Sequence, residues 1–182
     1  MKSSNFLLPF ALLAAGTPAT AQQPGSGHGA GHGSHGAAPY AGEQTRDIKA
    51  LSPQEQRAWI EGQGMGLARA AELNGYPGPM HVLELAERLQ LTGSQTAETR
   101  ALMDQHKAEV RRLGIQLVDA ERALDRLFRD KQATEASVRQ YSKAIAELQA
   151  QIRTSHLQTH LKQTNLLTAV QVDFYNTLRG YR

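Results

Sequence analysis

The chain contains no cysteine, few aromatic residues and no large excess of either charge. Of its 182 residues none is Cys, and only 5% are Phe, Trp or Tyr. Without cysteine, neither a disulfide bond nor a lipid-modified cysteine anchor can form. Basic and acidic residues alternate and leave a net charge of +3. Together with the scarcity of aromatic rings, this balance argues against nucleic-acid binding.

Long apolar runs are also lacking, apart from one at the N-terminus. Residues 6–15 are apolar, follow Lys2, and precede the small residues Ala19, Thr20 and Ala21. This pattern is typical of an export signal, and it predicts that residues 1–21 are cleaved after Ala21. A membrane anchor is the alternative, but the run is too short to cross the ~30 Å of hydrocarbon. We therefore expect an exported, soluble protein without membrane insertion.

Residues 22–46 are rich in glycine and histidine, and this composition predicts a disordered tail because it cannot bury apolar surface. The tail contains His28, His32 and His35. Imidazole is a ligand for Zn, Cu and Ni, so these histidines are candidate metal ligands. A flexible linker is the alternative, and composition does not separate the two.

Residues 47–182 predict an all-α domain. Ser52 to Glu55 has the pattern of a capping box with Pro53 at the first helical position, which predicts a helix over 53–73. The glycines inside this segment at 62 and 66 predict close approach of another helix, or a kink. A second, shorter helix is predicted over 80–90.

Two long apolar stripes follow, with residues spaced in threes and fours as on one face of a helix. They predict helices over 93–130 and 135–165, joined by a short connection. We therefore expect a long antiparallel helical hairpin with shorter flanking helices. An extended hairpin without disulfides is expected to form a homodimer. The first stripe is Leu102, His106, Val110, Leu113, Leu117, Ala120, Leu124 and Leu127; the second is Val138, Tyr141, Ile145, Leu148 and Ile152.

The pattern Leu-Thr-x-x-Gln occurs twice, at residues 91–95 and 167–171. In each copy the threonine suits an N-cap and the glutamine can bond back to the threonine amide, so the motif predicts a helix start rather than a catalytic site. The leucine before each cap is expected to pack on the core. The motif residues are Leu91, Thr92, Gln95, Leu167, Thr168 and Gln171.

Matching the two long stripes predicts that His106 faces residue 159. His156 and His160 flank that position on one helix face, and Met103 lies beside them. Three histidines from two helices make a candidate metal site. Histidines half exposed at the border of an apolar stripe are the alternative.

An export signal, an all-helical chain and two Leu-Thr-x-x-Gln motifs resemble the Spy/CpxP-like LTxxQ family of bacterial periplasmic proteins, which includes CnrX-like heavy-metal sensors and ZraP-like zinc-associated proteins. The resemblance covers roughly residues 50–180. It implies periplasmic location and a homodimer of hooked helical hairpins. The sensor branch has His-x3-His before the first helix and His-x3-Met late in the hairpin. Here His28 and His32 have the first spacing, but His156 is followed by His160 instead of methionine.

The resemblance implies two functions. The preferred one is an ATP-independent chaperone-like or envelope-stress protein that binds unfolded envelope proteins. The alternative is a periplasmic heavy-metal sensor or metal-binding resistance protein for Zn, Cu or Ni, with a sensor kinase or an anti-sigma protein as partner. An enzyme is not expected, because no nucleophile elbow, cysteine or paired acid is found. No catalytic residue is assigned and no cofactor is required.

Overall fold

A computed structural model describes residues 38–182, and residues 1–37, which include the predicted signal sequence, lie outside it. Every regular element in the described part is helical, as the sequence predicted. None of these helices is both long enough and apolar enough to cross a membrane. A short 3₁₀-helix, Glu43–Thr45, precedes six α-helices: α1 (Pro53–Glu61), α2 (Arg69–Glu72), α3 (Pro79–Glu84), α4 (Gly93–Arg129), α5 (Glu135–Leu166) and α6 (Ala169–Leu178).

Helix α1 begins at the predicted capping box but ends much earlier than predicted. The Ser52 hydroxyl accepts a hydrogen bond from the Glu55 amide, and the Glu55 carboxylate accepts one from the Ser52 amide. The prediction of one helix over 53–73 was wrong, because Gly62 and Gly66 adopt left-handed φ angles of 67° and 74°. Such angles end a helix and suit glycine. The chain turns there before α2 begins.

Two glycines mark the contact between α1 and α4. A Cβ on Gly62 would lie 2.5 Å from Cγ2 of Val110, so the predicted close approach of another helix is found at this glycine. A Cβ on Gly114 would lie 1.9 Å from the carbonyl oxygen of Trp59. The backbone of α1 therefore rests directly on α4, and no larger residue fits at position 114.

Helix α3 is also shorter than predicted. Pro79 starts it, but the chain leaves the helix at Leu85, and the prediction of a helix over 80–90 was wrong at its C-terminal half. Residues 85–90 form turns that end with Gln90 at a φ of 50°. Leu89 is nevertheless buried, in a core cluster with Val82 of α3 and with Tyr175.

Helices α4 and α5 are the long helix pair, with bounds close to those predicted. Helix α4 has 37 residues, so it is about 56 Å long. Thr92 and Thr134 are their N-caps, each in a reciprocal capping box. The core between the helices comprises Val110, Leu113, Leu117, Ile145 and Ile152.

The contacts at one end of this helix pair differ from the predicted register. His106 was expected to face residue 159, but its ring nitrogens lie 3.0 Å from Oγ of Ser155 and 3.1 Å from Nδ1 of His156. Nearby, Nε2 of Gln163 donates to the hydroxyl of Thr99 at 3.1 Å. The predicted register assumed that the two helices stay in step, which requires 3.5 residues per turn. A straight α-helix has 3.6 residues per turn, so its apolar face rotates by ~20° every seven residues and the facing residues change along the pair.

Candidate metal site

The three histidines predicted to converge do lie around one cavity of about 460 Å³. His106 comes from α4, and His156 and His160 come from α5, one helical turn apart. Met103, predicted to stand beside them, lines the same cavity. The tail histidines at 28, 32 and 35 lie outside the described residues.

His106 and His156 form a direct imidazole pair. Their ring centroids are 4.5 Å apart with an interplanar angle of 76°, and Nε2 of His106 lies 3.1 Å from Nδ1 of His156. One of these nitrogens donates and the other accepts. His156 is 6% exposed, and its Nε2 is buried without a hydrogen-bond partner in the described part of the chain. The pair therefore leaves one buried imidazole nitrogen unused.

Burial makes both imidazoles hard to protonate. Loss of hydration lowers the pKa of His156 to about 4, with a further contribution from His160. Burial likewise lowers the pKa of His106 to about 4, and His156 and His160 add to this effect. Both rings are consequently uncharged at neutral pH, the state in which imidazole binds a metal ion.

His160 is oriented by backbone contacts from the turn before α3. Its Nδ1 lies 2.8 Å from the carbonyl oxygen of Tyr76, to which it can only donate. The ring rests against Gly78: a Cβ there would lie 2.8 Å from Cε1 and 3.0 Å from Nε2 of His160. The absence of a side chain at Gly78 therefore makes room for the imidazole.

A carboxylate that sequence reasoning missed, Glu72, lies beside His160. Its Oε2 is 3.5 Å from Nδ1 of His160 and has no hydrogen-bond partner within residues 38–182. Its Oε1 accepts from the hydroxyls of Tyr175 at 2.5 Å and Tyr181 at 3.2 Å, and Nε of Arg179 is 3.7 Å away. Glu109, three residues after His106 in the sequence, is partly exposed and paired with Arg112 on its own helix.

Glu72 was hard to find from the sequence, because its position depends on the break at the preceding glycines. In the continuous helix predicted over 53–73, this residue would lie on an extension of α1. The turn at Gly62 and Gly66 instead carries α2 back toward α5. The only available signal was that Glu72 directly precedes the turn over residues 73–78, which also supplies Tyr76 and Gly78.

The described residues do not contain a ready-made group of three His, Asp or Glu side chains in metal-binding geometry. The nitrogens of His106 and His156 that face each other are joined by a hydrogen bond. The donors that remain are Nε2 of His156, Nε2 of His160 and the free oxygen of Glu72. A bound ion would therefore require side-chain rotation.

The Leu-Thr-x-x-Gln motifs are helix caps, as predicted, and they also touch each other. Thr92 and Thr168 each accept from the amide three residues on, and each glutamine accepts from its threonine amide. In addition, the side-chain amides of Gln95 and Gln171 pair at 2.8 and 3.1 Å. Leu91 and Leu167 pack, as expected, on a core cluster that includes Tyr175.

These glutamines also bond to backbone carbonyls of other elements. Nε2 of Gln95 donates to Leu166 at 2.9 Å, and Nε2 of Gln171 donates to Leu89 at 3.1 Å. The two motifs therefore join the starts of α4 and α6 to the end of α5. This role is structural and lies apart from the histidine cavity.

A second concavity, an apolar groove of about 470 Å³, lies near the C-terminal end of α4. Its apolar surface comes from Ala50, Leu124 and Phe128, and Phe128 is 55% exposed. Burial in this setting raises the pKa of Glu121, which also lines the groove. The groove is thus an apolar surface with charged residues at its rim.

Comparison of the chain with protein-family models, with curated proteins and with solved structures gave no match.

Proposed function

We propose that this protein binds a transition-metal ion at the histidine cavity, in the manner of a periplasmic metal sensor or metal-binding resistance protein. The observation that carries this proposal is the buried Nε2 of His156, which has no partner among the described residues. A buried polar atom left unpaired costs ~1–3 kcal/mol. When Nδ1 of His156 donates to Nε2 of His106, Nε2 of His156 carries a lone pair, and a metal ion that accepts this lone pair would recover that cost.

The hydrogen bonds of the two α5 histidines support the same proposal. Metal-binding histidines usually use one ring nitrogen for a hydrogen bond that fixes the tautomer, and the other for the metal. His160 uses Nδ1 for the Tyr76 carbonyl, and His156 uses Nδ1 for His106. Nε2 of both rings is left as a donor for an ion, and His106 would orient the ring of His156.

Metal titration calorimetry on the full chain tests this proposal. Because the tail could bind metal independently, all proteins carry His28→Ala, His32→Ala and His35→Ala. In this background we expect one Zn(II) or Cu(II) ion per chain, and His156→Gln with His160→Gln should weaken its affinity by at least about tenfold. Equal affinity in the parent and this variant would contradict the proposal.

Gly78 offers a test that leaves every candidate ligand in place. Gly78→Ala should push the His160 ring out of position, since the new Cβ would lie 2.8 Å from its Cε1. Gly64→Ala is the matched control, because it lines the same cavity but its Cβ would meet nothing within 4 Å. We expect about tenfold weaker metal binding in the first variant only.

A second candidate function is ATP-independent binding of unfolded envelope proteins, which the apolar groove favours. Exposed apolar surface with a charged rim can hold an unfolded chain weakly. The groove joins half-exposed Phe128 to Leu124 and to Lys49 and Arg129 at its edge. The resemblance to the LTxxQ family also supports this function. On the same ground we propose that the protein belongs to that family, is exported to the periplasm and forms a homodimer of helical hairpins.

Suppression of client aggregation without ATP tests this second function. The full chain should reduce light scattering by a chemically denatured client at near-equal molar ratio, and Phe128→Gln should weaken that effect. Leu161→Gln is the control, because this residue is 50% exposed but lies outside the groove. Failure to protect several unrelated clients would rule the function out.

A further inference from the structure

The cavity gathers an unusual share of the metal-binding side chains of the described chain. All four histidines and all three methionines of residues 38–182 line it, although only a small minority of the described residues do so. The histidines are His81, His106, His156 and His160, and the methionines are Met65, Met80 and Met103.

The methionines are not simply filling a core. Met65 is 43% exposed and Met80 is 49% exposed. A methionine that packs a core gap is normally buried. Here the thioethers come from the turn after α1, from α3 and from α4, and the fold brings them to one cavity. Because the chain has no cysteine, these are the only sulfur atoms that the described residues can offer to an ion.

Thioether sulfur discriminates among metals. Soft ligands of this kind select Cu(I), whereas Zn(II) and Ni(II) are bound well by imidazole and gain little from methionine. Ag(I) shares the charge and the softness of Cu(I). A mixed imidazole and thioether lining therefore favours a soft, singly charged ion.

The charges at the cavity point the same way. Its lining includes the basic residues Arg69, Lys107 and Arg179, and Glu72 is its only acidic residue. One oxygen of Glu72 is already held by the two tyrosine hydroxyls. Bringing a divalent ion into such surroundings costs more than bringing a monovalent one, because repulsion from the basic groups scales with the charge of the ion.

We propose that the cavity is a site for a soft monovalent cation of the copper group, Cu(I) or Ag(I), with methionine sulfur and histidine nitrogen as ligands. This inference rests on the proposed metal-binding function and specifies its ligand class. The α5 histidines would supply nitrogen donors, and Met103 with Met65 and Met80 would supply sulfur.

The test compares one soft and one borderline ion in the full chain carrying the three tail substitutions. Anaerobic competition with a chromogenic Cu(I) chelator gives the Cu(I) affinity, and calorimetry gives the Zn(II) affinity. The variant Met65→Leu/Met80→Leu/Met103→Leu removes the thioethers with little change in volume. Ile115→Leu, at an exposed apolar position of α4 outside the cavity, is the control.

We expect the triple methionine variant to lose at least about tenfold in Cu(I) affinity while its Zn(II) affinity stays within about twofold. Direct contact has its own readout: Ag(I) should shift the methyl resonances of ¹³C-labelled methionine in the parent. Circular dichroism checks that the variants are folded. If the methionine variant is not folded, the Ag(I)-induced methyl shifts in the parent alone test whether methionine sulfur contacts the ion.

The outcomes separate this inference from the function on which it rests. If Cu(I) and Ag(I) bind through the histidines, but the methyl resonances do not move and methionine removal has no effect, the soft-cation site is overturned and metal binding stands. Binding of Zn(II) alone would likewise overturn the soft-cation site and leave metal binding in place. If no ion binds in the tail-substituted chain, both proposals fail.

Discussion

At the scale of single residues, the absence of a side chain is as decisive as its presence. Gly114 lets the backbone of α1 contact α4, and Gly78 makes room for His160. The His106–His156 pair, in turn, is held uncharged by burial. Each of these features is a local contact whose cost can be measured by one substitution.

Gly114→Ala is expected to destabilise the protein strongly. The added Cβ would lie 1.9 Å from the Trp59 carbonyl oxygen, so one of the two helices must move. We expect a loss of about 2–3 kcal/mol in the free energy of unfolding, measured by urea denaturation. Gly93→Ala is the control: its Cβ meets nothing within 4 Å, and alanine favours a helix, so this change should be neutral or slightly stabilising. Equal stability of the two variants would contradict the contact.

The histidine pair predicts a specific dependence of stability on pH. Both pKa values are lowered to about 4 in the folded chain, against ~6.5 when unfolded. Between these values the unfolded state binds more protons, so the free energy of unfolding falls as the pH is lowered from 7 toward 4. By pH 5 the loss for the two rings together should reach about 3–4 kcal/mol. Urea denaturation in the presence of EDTA measures it.

The control for this pH dependence is His106→Gln/His156→Gln. Its absolute stability can differ from that of the parent, but its stability should change less between pH 7 and pH 5. A variant with the same pH dependence as the parent would show that the two rings titrate normally in the folded chain.

At the scale of elements, the two Leu-Thr-x-x-Gln motifs connect helices as well as start them. The paired amides of Gln95 and Gln171 join the first turns of α4 and α6, and each also reaches a carbonyl of a third segment. A capping box that acts only within its own helix, such as that of Thr134 and Ser137, lacks such contacts among the described residues.

A double-mutant cycle on Gln95→Ala and Gln171→Ala should therefore show coupling. Each single variant loses a cap and an inter-helix bond, and the pair should share an interaction free energy of about 0.5–1.5 kcal/mol. Thermal or urea unfolding of the four proteins gives this value. The same cycle with Ser137→Ala in place of Gln171→Ala should give none, because Ser137 belongs to a different cap. Additive losses in the first cycle would show that the motifs are merely local caps.

At the scale of the whole molecule, Glu72 ties the N-terminal part of the domain to its C-terminus. Tyr175, which is fully buried, and Tyr181 both donate to this carboxylate from more than 100 positions away in sequence. The same residue borders His160. The network thus joins α2, α5 and the end of the chain next to the candidate metal site.

Tyr175→Phe should cost about 1–3 kcal/mol of unfolding free energy, since it removes a buried hydroxyl from a buried carboxylate while keeping the ring. Tyr181→Phe is the matched comparison and should cost less, because its hydrogen bond is longer, 3.2 against 2.5 Å, and the residue is half-buried. Chemical denaturation of both variants measures the difference. If Tyr181→Phe lowers the free energy of unfolding as much as Tyr175→Phe does, the hydrogen bond of the buried Tyr175 hydroxyl is not the main contribution of this network.

The amino-acid sequence alone predicted the all-helical class, the bounds of α4 and α5, the start of α6, and the helix caps at Ser52, Thr92 and Thr168. These features depend on the spacing of apolar residues and on hydrogen bonds between residues three or four positions apart. Both can be recognised in a short stretch of sequence. It also predicted that His106, His156 and His160 lie in one region, because the apolar stripe of each long helix fixes which face meets the other.

The break after α1, the hydrogen-bond partner of His106 and the role of Glu72 became known only from the folded chain. Glycine is compatible with both a helix and a left-handed turn, and the contact with α4 selects between them at Gly62. The small drift between two packed helices accumulates along their length, so the ring of His106 forms its hydrogen bond with His156. Because α2 folds back, the methionines and Glu72 line the same cavity as the histidines. This arrangement depends on packing between segments far apart in the sequence, which no local sequence pattern encodes.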